Sequence, residues 1–273
     1  MQYIDHHLHS NCSQDGSNTM LEMARASYEA GVSRLCFTDH CDLDSFSTGV
    51  PDENCFSFRD KMGDMFSEAV LGAPRGMTLG LGLELGEINH NPRLAAQIAA
   101  SPELDFILGS LHNLRGNIDF YEMDYPDETF CRRIIDDYVE ELVELSRLDS
   151  FDTMAHIGYP IRYTRRSGFK TELNLKTHGD ALRLMLKNLI EGGRGIEINC
   201  AGFRNPLLGD SIPTADILRL YRELGGEIIT VGSDAHKVAD AGGGIKRGFD
   251  ILRDLGYKYV TAFAGRKPEF IKI

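Results

Sequence analysis

The chain has 273 residues, 42% of them hydrophobic and 26% charged, an ordinary composition for a soluble globular protein. Its 29 basic and 41 acidic side chains give a formal net charge of -12, which argues against broad binding to nucleic acid or to membrane surfaces. We expect a cytoplasmic protein with reduced thiols, because no run is long enough to span a membrane, no signal-peptide pattern is present and the six cysteines include no Cys-x-x-Cys pair.

Short apolar runs typical of strands alternate with longer stretches of helical period. The runs begin near Tyr3, Arg34, Thr78, Asp105, Phe151, Gly195, Ile228 and Lys258. The first helix candidate begins at Thr19, a typical N-cap residue, and ends at Gly31. Seven or eight strand–helix units in one chain favour a parallel α/β barrel over an open sheet. Since no linker or repeat interrupts them, we expect one domain over residues 1–273.

Two polar stretches, residues 41–58 and residues 115–127, interrupt this alternation. Each follows the end of a predicted strand. We therefore expect two long loops on the face of the barrel where the strands end, because loops at that face carry specificity.

Imidazoles and carboxylates follow nearly every predicted strand. In chain order they are Asp5, His7, His9, Asp39, His40, Glu84, His112, His156, Asp234 and His236. Parallel barrel strands end on one face, so these groups should lie close together, where barrel enzymes build active sites. Imidazoles and carboxylates bind divalent cations, so the pattern predicts a multinuclear metalloenzyme.

The opening motif places Asp5, His7 and His9 at alternate positions. Alternate residues of a strand share a face, so His7 and His9 can bind one ion while Asp5 supports them from behind. His6 points the other way and is predicted to be structural. Two further histidines, His90 and His178, fit no strand end and are predicted to lie at the surface.

Several acids leave two interpretations open. Glu84 ends its apolar run and can bridge two cations through its two oxygens, which favours it over Glu87 as a ligand. Asp39 could support a ligand or cap a turn. Asp15 could complete a further metal site or could be a turn residue beside Gly16.

Arginines follow the fifth and sixth predicted strands. Arg162 and Arg204 are candidates for binding a phosphate group, because a guanidinium donates two parallel hydrogen bonds to phosphate oxygens. Arg165 and Arg166 could do the same or could be solvated surface residues. Asp234 and His236, which repeat the spacing of the opening motif, could bind metal and transfer a proton.

Taken in order, the motifs "DHHLHS", "FTDH", "GLELG", "GSLHN", "AHIGYP" and "VGSDAH" resemble the PHP (polymerase and histidinol phosphatase) superfamily. The resemblance covers nearly the whole chain. It implies a distorted (β/α)7 TIM-like barrel with a two- or three-metal centre. The run near Lys258 would then lie outside the barrel.

Within the superfamily, "EINCAGFRNP" and "FDTMAHIGYPIRY" resemble segments of histidinol-phosphate phosphatases. This likeness implies three sets of metal ligands: His7, His9, Glu84 and Asp234; Glu84, His112 and His156; and Asp15, His40 and His236. It also implies that Arg162 and Arg204 bind the substrate phosphate and that Asn199 lies in the substrate pocket. Three positions depart from the family: Cys200 replaces a hydroxyl residue, Asn205 replaces a lysine, and "HIGYP" lacks an acid that is usual there.

We therefore expect metal-dependent hydrolysis of L-histidinol phosphate to L-histidinol and phosphate, a step of histidine biosynthesis, through a hydroxide that bridges two cations. Asp234 or His236 would protonate the leaving group. Zinc, manganese and iron all remain open as the metals. The alternatives are another small phosphomonoester or a nucleotide as substrate, a 3′–5′ exonuclease, and a metal-binding regulator without turnover.

Overall fold

A computed structural model of the chain describes residues 3–273. The strands are β1 Tyr3–Asp5, β2 Val32–Asp42, β3 Thr78–Gly86, β4 Phe106–Ser110, β5 Thr153–Met154, β6 Gly195–Asn199, β7 Ile229–Gly232, β8 Tyr259–Ala264 and β9 Lys267–Lys272. The helices are α1 Met20–Glu29, α2 Arg59–Gly72, α3 Pro92–Ala99, α4 Glu128–Leu145, α5 Ile161–Arg166, α6 Leu175–Glu191, α7 Ala201–Arg204, α8 Ala215–Glu223 and α9 Ile245–Asp254.

Strands β1 to β7 form one parallel sheet in chain order. Backbone hydrogen bonds join its two edges just beyond β1 and β7: His6 N donates to Val231 O at 2.8 Å, Asp234 N to His7 O at 2.7 Å, and His9 N to Ala235 O at 2.9 Å. These bonds close the sheet into a barrel, which confirms the predicted distorted (β/α)7 architecture.

The eighth apolar run lies outside the barrel, as the family resemblance implies. It forms β8, which pairs antiparallel with β9 in a separate two-stranded sheet. His6 connects this sheet to the barrel, because Phe263 N donates to His6 Nε2 at 3.0 Å while the imidazole packs edge-on against Phe106. The structural role predicted for His6 is confirmed.

Local signals explain where the elements begin and end. Helix α1 has a reciprocal capping box, in which Thr19 Oγ1 accepts from Glu22 N and the Glu22 carboxylate accepts from Thr19 N at 2.8 Å. Gly31 follows the helix with a φ of 91°, a conformation that glycine adopts without a steric cost. Strands β4 and β6 are buried at every residue, and β4 is accordingly apolar up to its last residue, Ser110, whereas β6 also contains Glu197 and Asn199.

The two predicted loops are present at residues 43–58 and 111–127, and we call them the rim loops. Strand β2 extends to Asp42, so the first loop begins two residues later than the sequence predicts. The loops contact each other, because Asp119 N donates to Phe46 O at 3.1 Å. The second also returns to its own start, where Phe120 N donates to His112 O at 2.9 Å, which places both loops at the strand-end face.

Most buried apolar residues form one cluster that extends along the chain from Ile4 to Ala262, and a smaller cluster contains Cys36, Phe106, Leu108, Ala155 and Phe263. One domain over the whole chain stays a prediction. Within residues 3–273, the helices are too short or too polar to cross a membrane. The six cysteines are all free thiols.

Candidate metal centre

Glu84 lies at the centre of the strand-end residues and is fully buried at β3. Its Oε1 atom is 3.0 Å from His112 Nε2 and 2.6 Å from His156 Nε2. Its Oε2 atom is 3.1 Å from His7 Nε2 and 3.2 Å from His40 Nδ1. His9 Nε2 also lies 3.4 Å from Oε2. Each carboxylate oxygen therefore faces a separate set of imidazoles, an arrangement that allows Glu84 to bridge two cations.

On the Oε2 side, the imidazoles of His7 and His9 converge. Their Nε2 atoms lie 3.1 Å apart, and with Glu84 they form a group whose ligand atoms all lie within 4.8 Å of one another. Asp234 Oδ1 is 3.6 Å from His7 Nε2 and 3.4 Å from His9 Nε2. The first predicted ligand set is thus brought together.

On the Oε1 side, His112 Nε2 and His156 Nε2 lie 3.4 Å apart. Pairs of ring nitrogens that face each other at this distance direct their lone pairs toward a common point. A cation satisfies such a set of donors better than protons do, because a proton can bridge only two of them. The chemistry of the donors therefore fits divalent cations.

Nearer the surface, the rings of His40 and His236 stack on the ring of His9 with centroid distances of 4.3 Å and 4.0 Å. These three histidines form a second compact ligand group. Asp15 joins it from outside, with Oδ2 3.2 Å from His236 Nε2 and Oδ1 3.8 Å from His40 Nε2. This arrangement brings together the third predicted set and adds His9 to it.

The electrostatics of the cluster favour cations. Burial alone would raise the pKa values of Glu84 and Asp234, but the neighbouring imidazoles outweigh burial and hold both well below their usual range. Both side chains are therefore carboxylates. Burial, followed by the imidazoles of His236 and His40, lowers the pKa of His9 well below its usual value. The neutral imidazole of His9 is in the form that binds metal. At His7 and His112 the neighbouring carboxylates outweigh burial and raise the pKa well above its usual value, so a bound cation would replace a proton there.

Glu197 contacts two of the candidate ligands from behind, a role that was not predicted from the sequence. Its Oε1 atom is 2.8 Å from His7 Nδ1, and its Oε2 atom accepts from His156 N at 2.9 Å. A carboxylate on the far ring nitrogen fixes the tautomer and orientation of a ligand histidine. The available signal was the single acid inside the apolar run "GIEIN".

Two more acids act in the same way on other ligands. Asp42 Oδ1 is 3.0 Å from His112 Nδ1, a contact that the sequence analysis did not predict. Asp39 Oδ1 accepts from Ser13 Oγ at 2.7 Å, and this hydroxyl is 3.1 Å from His9 Nδ1. Of the two interpretations of Asp39, the contacts favour support of a ligand.

Asp5 is buried behind the cluster, as the sequence predicts. Its Oδ1 atom accepts from His7 N at 3.3 Å and from Ser233 N at 2.9 Å. Burial raises its pKa to about 6. Asp5 therefore fixes the backbone on both sides of the barrel closure, next to His7 and Asp234. Glu87 is similarly occupied with backbone, because its Oε1 atom accepts from His112 N at 2.8 Å.

Arg162 contributes a positive charge at the edge of the cluster. Its Nη2 atom is 3.8 Å from Asp234 Oδ2, and its guanidinium lies 4.5 Å above the ring of Tyr159. Within residues 3–273, its buried Nε and Nη2 atoms have no hydrogen-bond acceptor. A buried guanidinium with free donors is prepared to bind an anion.

A model of the PHP domain family matches residues 5–201, which is more than half of the chain. The chain belongs to the PHP domain family. Two relatives extend the similarity to nearly full length. The probable histidinol-phosphatase of Thermotoga maritima is 26% identical over 272 residues, covering 99% of each chain. The histidinol-phosphatase of Lactococcus lactis is 23% identical over 279 residues, covering 98% of this chain and 96% of the relative.

A solved structure supports the fold of this PHP domain. It is the crystal structure of a histidinol phosphate phosphatase from Lactococcus lactis complexed with zinc, L-histidinol and phosphate. The two structures superpose with a TM-score of 0.76 at 20% sequence identity, covering 98% of this chain and 99% of that one. At this identity the similarity establishes the barrel fold.

The other predicted phosphate ligand of the PHP domain, Arg204, is occupied by backbone. Its Nη1 atom donates to Gly243 O at 2.8 Å, and its Nη2 atom donates to Ser233 O at 2.8 Å and Asp234 O at 3.2 Å. These bonds attach α7 to the segment after β7. Arg204 has fewer free donors than Arg162, and its phosphate role stays a prediction.

Asn199, predicted to lie in the substrate pocket, is instead fully buried at the end of β6. Its Nδ2 atom donates to Glu197 Oε2 at 3.2 Å and to Asp234 Oδ2 at 3.1 Å, while its Oδ1 atom accepts from Ala201 N. These contacts occupy the whole amide group, so Asn199 supports Asp234 from within the barrel.

The side chains of Arg165 and Arg166 also bind backbone carbonyl groups. Arg165 donates to Leu207 O and Arg166 donates to Tyr121 O, so each guanidinium binds a backbone carbonyl group of another segment.

The prediction that His90 lies at the surface is wrong. Its side chain is buried between Asp44 and Glu141, with nitrogen–oxygen distances of 2.7 Å and 2.5 Å, because charged partners compensate for its burial.

Backbone strain also concentrates at the site. Among residues 3–273, only four non-glycine residues have a positive φ. Three of them follow barrel strands at the cluster: Glu87 at 54°, His156 at 21° and Asp234 at 53°. A positive φ at a non-glycine residue costs free energy and persists only where the surrounding structure enforces it. Such strained conformations are common at functional sites.

Proposed function

We propose that this PHP domain is a metal-dependent phosphomonoesterase whose substrate is L-histidinol phosphate, which it hydrolyses to L-histidinol and phosphate. The observation that carries the proposal is the guanidinium of Arg162, which has free donors beside a cluster of imidazoles and carboxylates. Support also comes from the two relatives named as histidinol-phosphatases and from the Lactococcus structure that contains zinc, L-histidinol and phosphate.

The ligand assignment follows the three groups described above. We assign one cation to His7, His9, Glu84 and Asp234, a second to Glu84, His112 and His156, and a third to Asp15, His40 and His236. Zinc, manganese or iron would suit these mixed nitrogen and oxygen donors. When bound, such cations acidify a water molecule and offset the negative charge of a phosphoryl group.

The side chains of the chain itself supply binding and proton transfer. Arg162 would bind the phosphoryl oxygens, because its free guanidinium nitrogens lie beside Asp234, which we assign as a metal ligand. Asp234 Oδ1 is also 3.7 Å from His236 Nδ1, so the pair can pass a proton to the leaving alkoxide. We assign Arg204 and Asn199 to hold the backbone and side chain of Asp234 in place.

The test is phosphate release by metal-replete protein from L-histidinol phosphate, glycerol 3-phosphate and a nucleotide, with the metal content measured on the same samples. We expect the H7A and E84A variants to lose activity and bound metal together. The R162A variant should retain metal while KM for the phosphate ester rises. The H178A variant is the control, because His178 lies on helix α6, where its Nε2 atom is 3.0 Å from Asp136 Oδ1 of helix α4, outside the cluster.

Full activity of H7A or E84A would contradict the metal assignment. Hydrolysis of glycerol 3-phosphate or the nucleotide without hydrolysis of L-histidinol phosphate would retain the phosphomonoesterase and refute its substrate.

A further inference from the structure

We propose that Asp119 selects the substrate by pairing with the protonated amino group of L-histidinol phosphate, an assignment that rests on the proposed function. Asp119 lies in the second rim loop, outside the metal ligand sets. It would act on the leaving group, at the opposite end of the substrate from the phosphate.

Asp119 is a buried carboxylate without a cationic partner. Only 4% of the residue is exposed. Its Oδ1 atom accepts from Tyr121 N at 2.6 Å, and no Arg, Lys or His of the described chain lies within ion-pair distance of it. A buried carboxylate is costly unless it is paired, and burial accordingly raises its pKa to about 6. A positively charged ligand would supply the missing partner.

The backbone fixes Asp119 next to the metal centre. Its own N–H donates to Phe46 O in the first rim loop, and the next residue, Phe120, donates to His112 O at 2.9 Å. One bond reaches the first rim loop and the other reaches His112 just after β4, so the backbone at Asp119 is held from two sides. The site is therefore built in advance of binding, as a specificity determinant requires.

Aromatic packing connects the loop of Asp119 to the phosphate end of the site. The ring of Tyr159 lies 4.9 Å from the rings of both His112 and His156 and carries the guanidinium of Arg162 on its face. It also lies 6.2 Å from the ring of Phe120, the neighbour of Asp119. A substrate whose phosphate contacts Arg162 would therefore extend along Tyr159 toward Asp119.

The chemistry of L-histidinol matches this surface. Its primary amine is protonated at neutral pH and would pair with the carboxylate, while its imidazole ring can pack on tyrosine. Sugar phosphates carry no cation at that end and would leave Asp119 unpaired. A buried polar group left unpaired by the wrong substrate is an effective way to discriminate against it.

The experiment compares D119N with wild type in the metal-replete enzyme, using L-histidinol phosphate and glycerol 3-phosphate. We expect kcat/KM for L-histidinol phosphate to fall about 10- to 100-fold, mainly through KM, while kcat/KM for glycerol 3-phosphate stays within about twofold. Calorimetric titration should show weaker binding of L-histidinol to D119N at unchanged metal content. The matched control is D124N, an exposed acid of the same loop.

Equal losses for both substrates, or unchanged binding of L-histidinol, would overturn the assignment and leave the proposed function standing. If wild type hydrolyses glycerol 3-phosphate but not L-histidinol phosphate, the proposed function fails and this assignment fails with it. A D119E variant that retains the substrate preference would support the charge, rather than the shape, as the recognised feature.

Discussion

Glu197 shows how much of the site depends on residues that never meet the substrate. Its two oxygens contact His7 Nδ1, the backbone N–H of His156 and the amide of Asn199, so one carboxylate orients groups from three strands. Because Asn199 in turn donates to Asp234, the same carboxylate is linked to the side chain that we place between metal and leaving group.

The E197Q variant tests this role. Glutamine has nearly the same shape, but its amide nitrogen cannot accept from His156 N or from His7 Nδ1. We expect metal affinity to fall about 10- to 100-fold, as for other carboxylates behind ligand histidines. Titration against a metal buffer would measure the loss, and saturating metal should restore most of kcat.

The control for this variant is E191Q, at the exposed end of α6. If E197Q binds metal as tightly as wild type, Glu197 does not orient the metal ligands and contributes only to the stability of the fold.

At single positions, the sequence predicted which side chains meet at the cluster better than it predicted the residues that support them. His7, His112 and His156 could be placed because each directly follows an apolar run and strand ends share a face. Glu197 could not be assigned, because its partner His7 is 190 residues away and nothing in the run shows which neighbour it meets. His90 was misplaced for the same reason, since the acids that compensate for its burial lie on other elements.

At the scale of elements, the strand at the barrel closure leaves no room for a side chain. A Cβ at Gly232, the last residue of β7, would lie 2.1 Å from Glu197 Oε1 and 2.3 Å from the Cβ of His7. The glycine therefore allows β7 to approach β1 while Glu197 reaches the ligand between them.

The G232A variant should lose both stability and metal binding. Overpacking of this kind costs about 1–3 kcal/mol, and the displaced carboxylate would no longer orient His7. Denaturant unfolding and metal titration would measure the two effects. The control is G179A in α6, where a Cβ meets no atom within 4 Å and alanine favours the helix by about 1 kcal/mol. Equal stability of G232A and wild type would contradict this account of the closure.

Most helices and strands could be predicted because apolar runs and helix caps can be recognised from residues that are close in the sequence. Strand β5 shows the limit, because only Thr153 and Met154 pair although the apolar run begins near Phe151. The pairing of β8 with β9 could not be predicted from the local sequence either. The apolar run of β8 resembles that of a barrel strand, and only the family resemblance indicated that it lies outside the barrel. Which strand a run pairs with depends on the closure of the whole sheet.

For the whole molecule, the proposed ligands come from the last residues of β2 and β3 and from the segments that follow β1, β4, β5 and β7. Bound cations would therefore connect nearly the entire barrel rather than one loop. They would also offset part of the formal charge of -12, to which Glu84, Asp234 and Asp15 contribute at the cluster. Metal binding to the folded state alone stabilises that state by mass action.

Removal of metal should therefore lower the Tm of the whole barrel in one cooperative transition. At free metal about 100-fold above Kd, binding contributes about 2.7 kcal/mol, which corresponds to about 5–10 °C for a protein of this size. Differential scanning calorimetry with and without a chelator would measure the shift. In E84A, which lacks the bridging carboxylate, the chelator should change Tm much less. A wild-type Tm that does not respond to the chelator would show that the strand ends hold together without cations, because their hydrogen bonds to Glu197, Asp42 and Asp5 suffice.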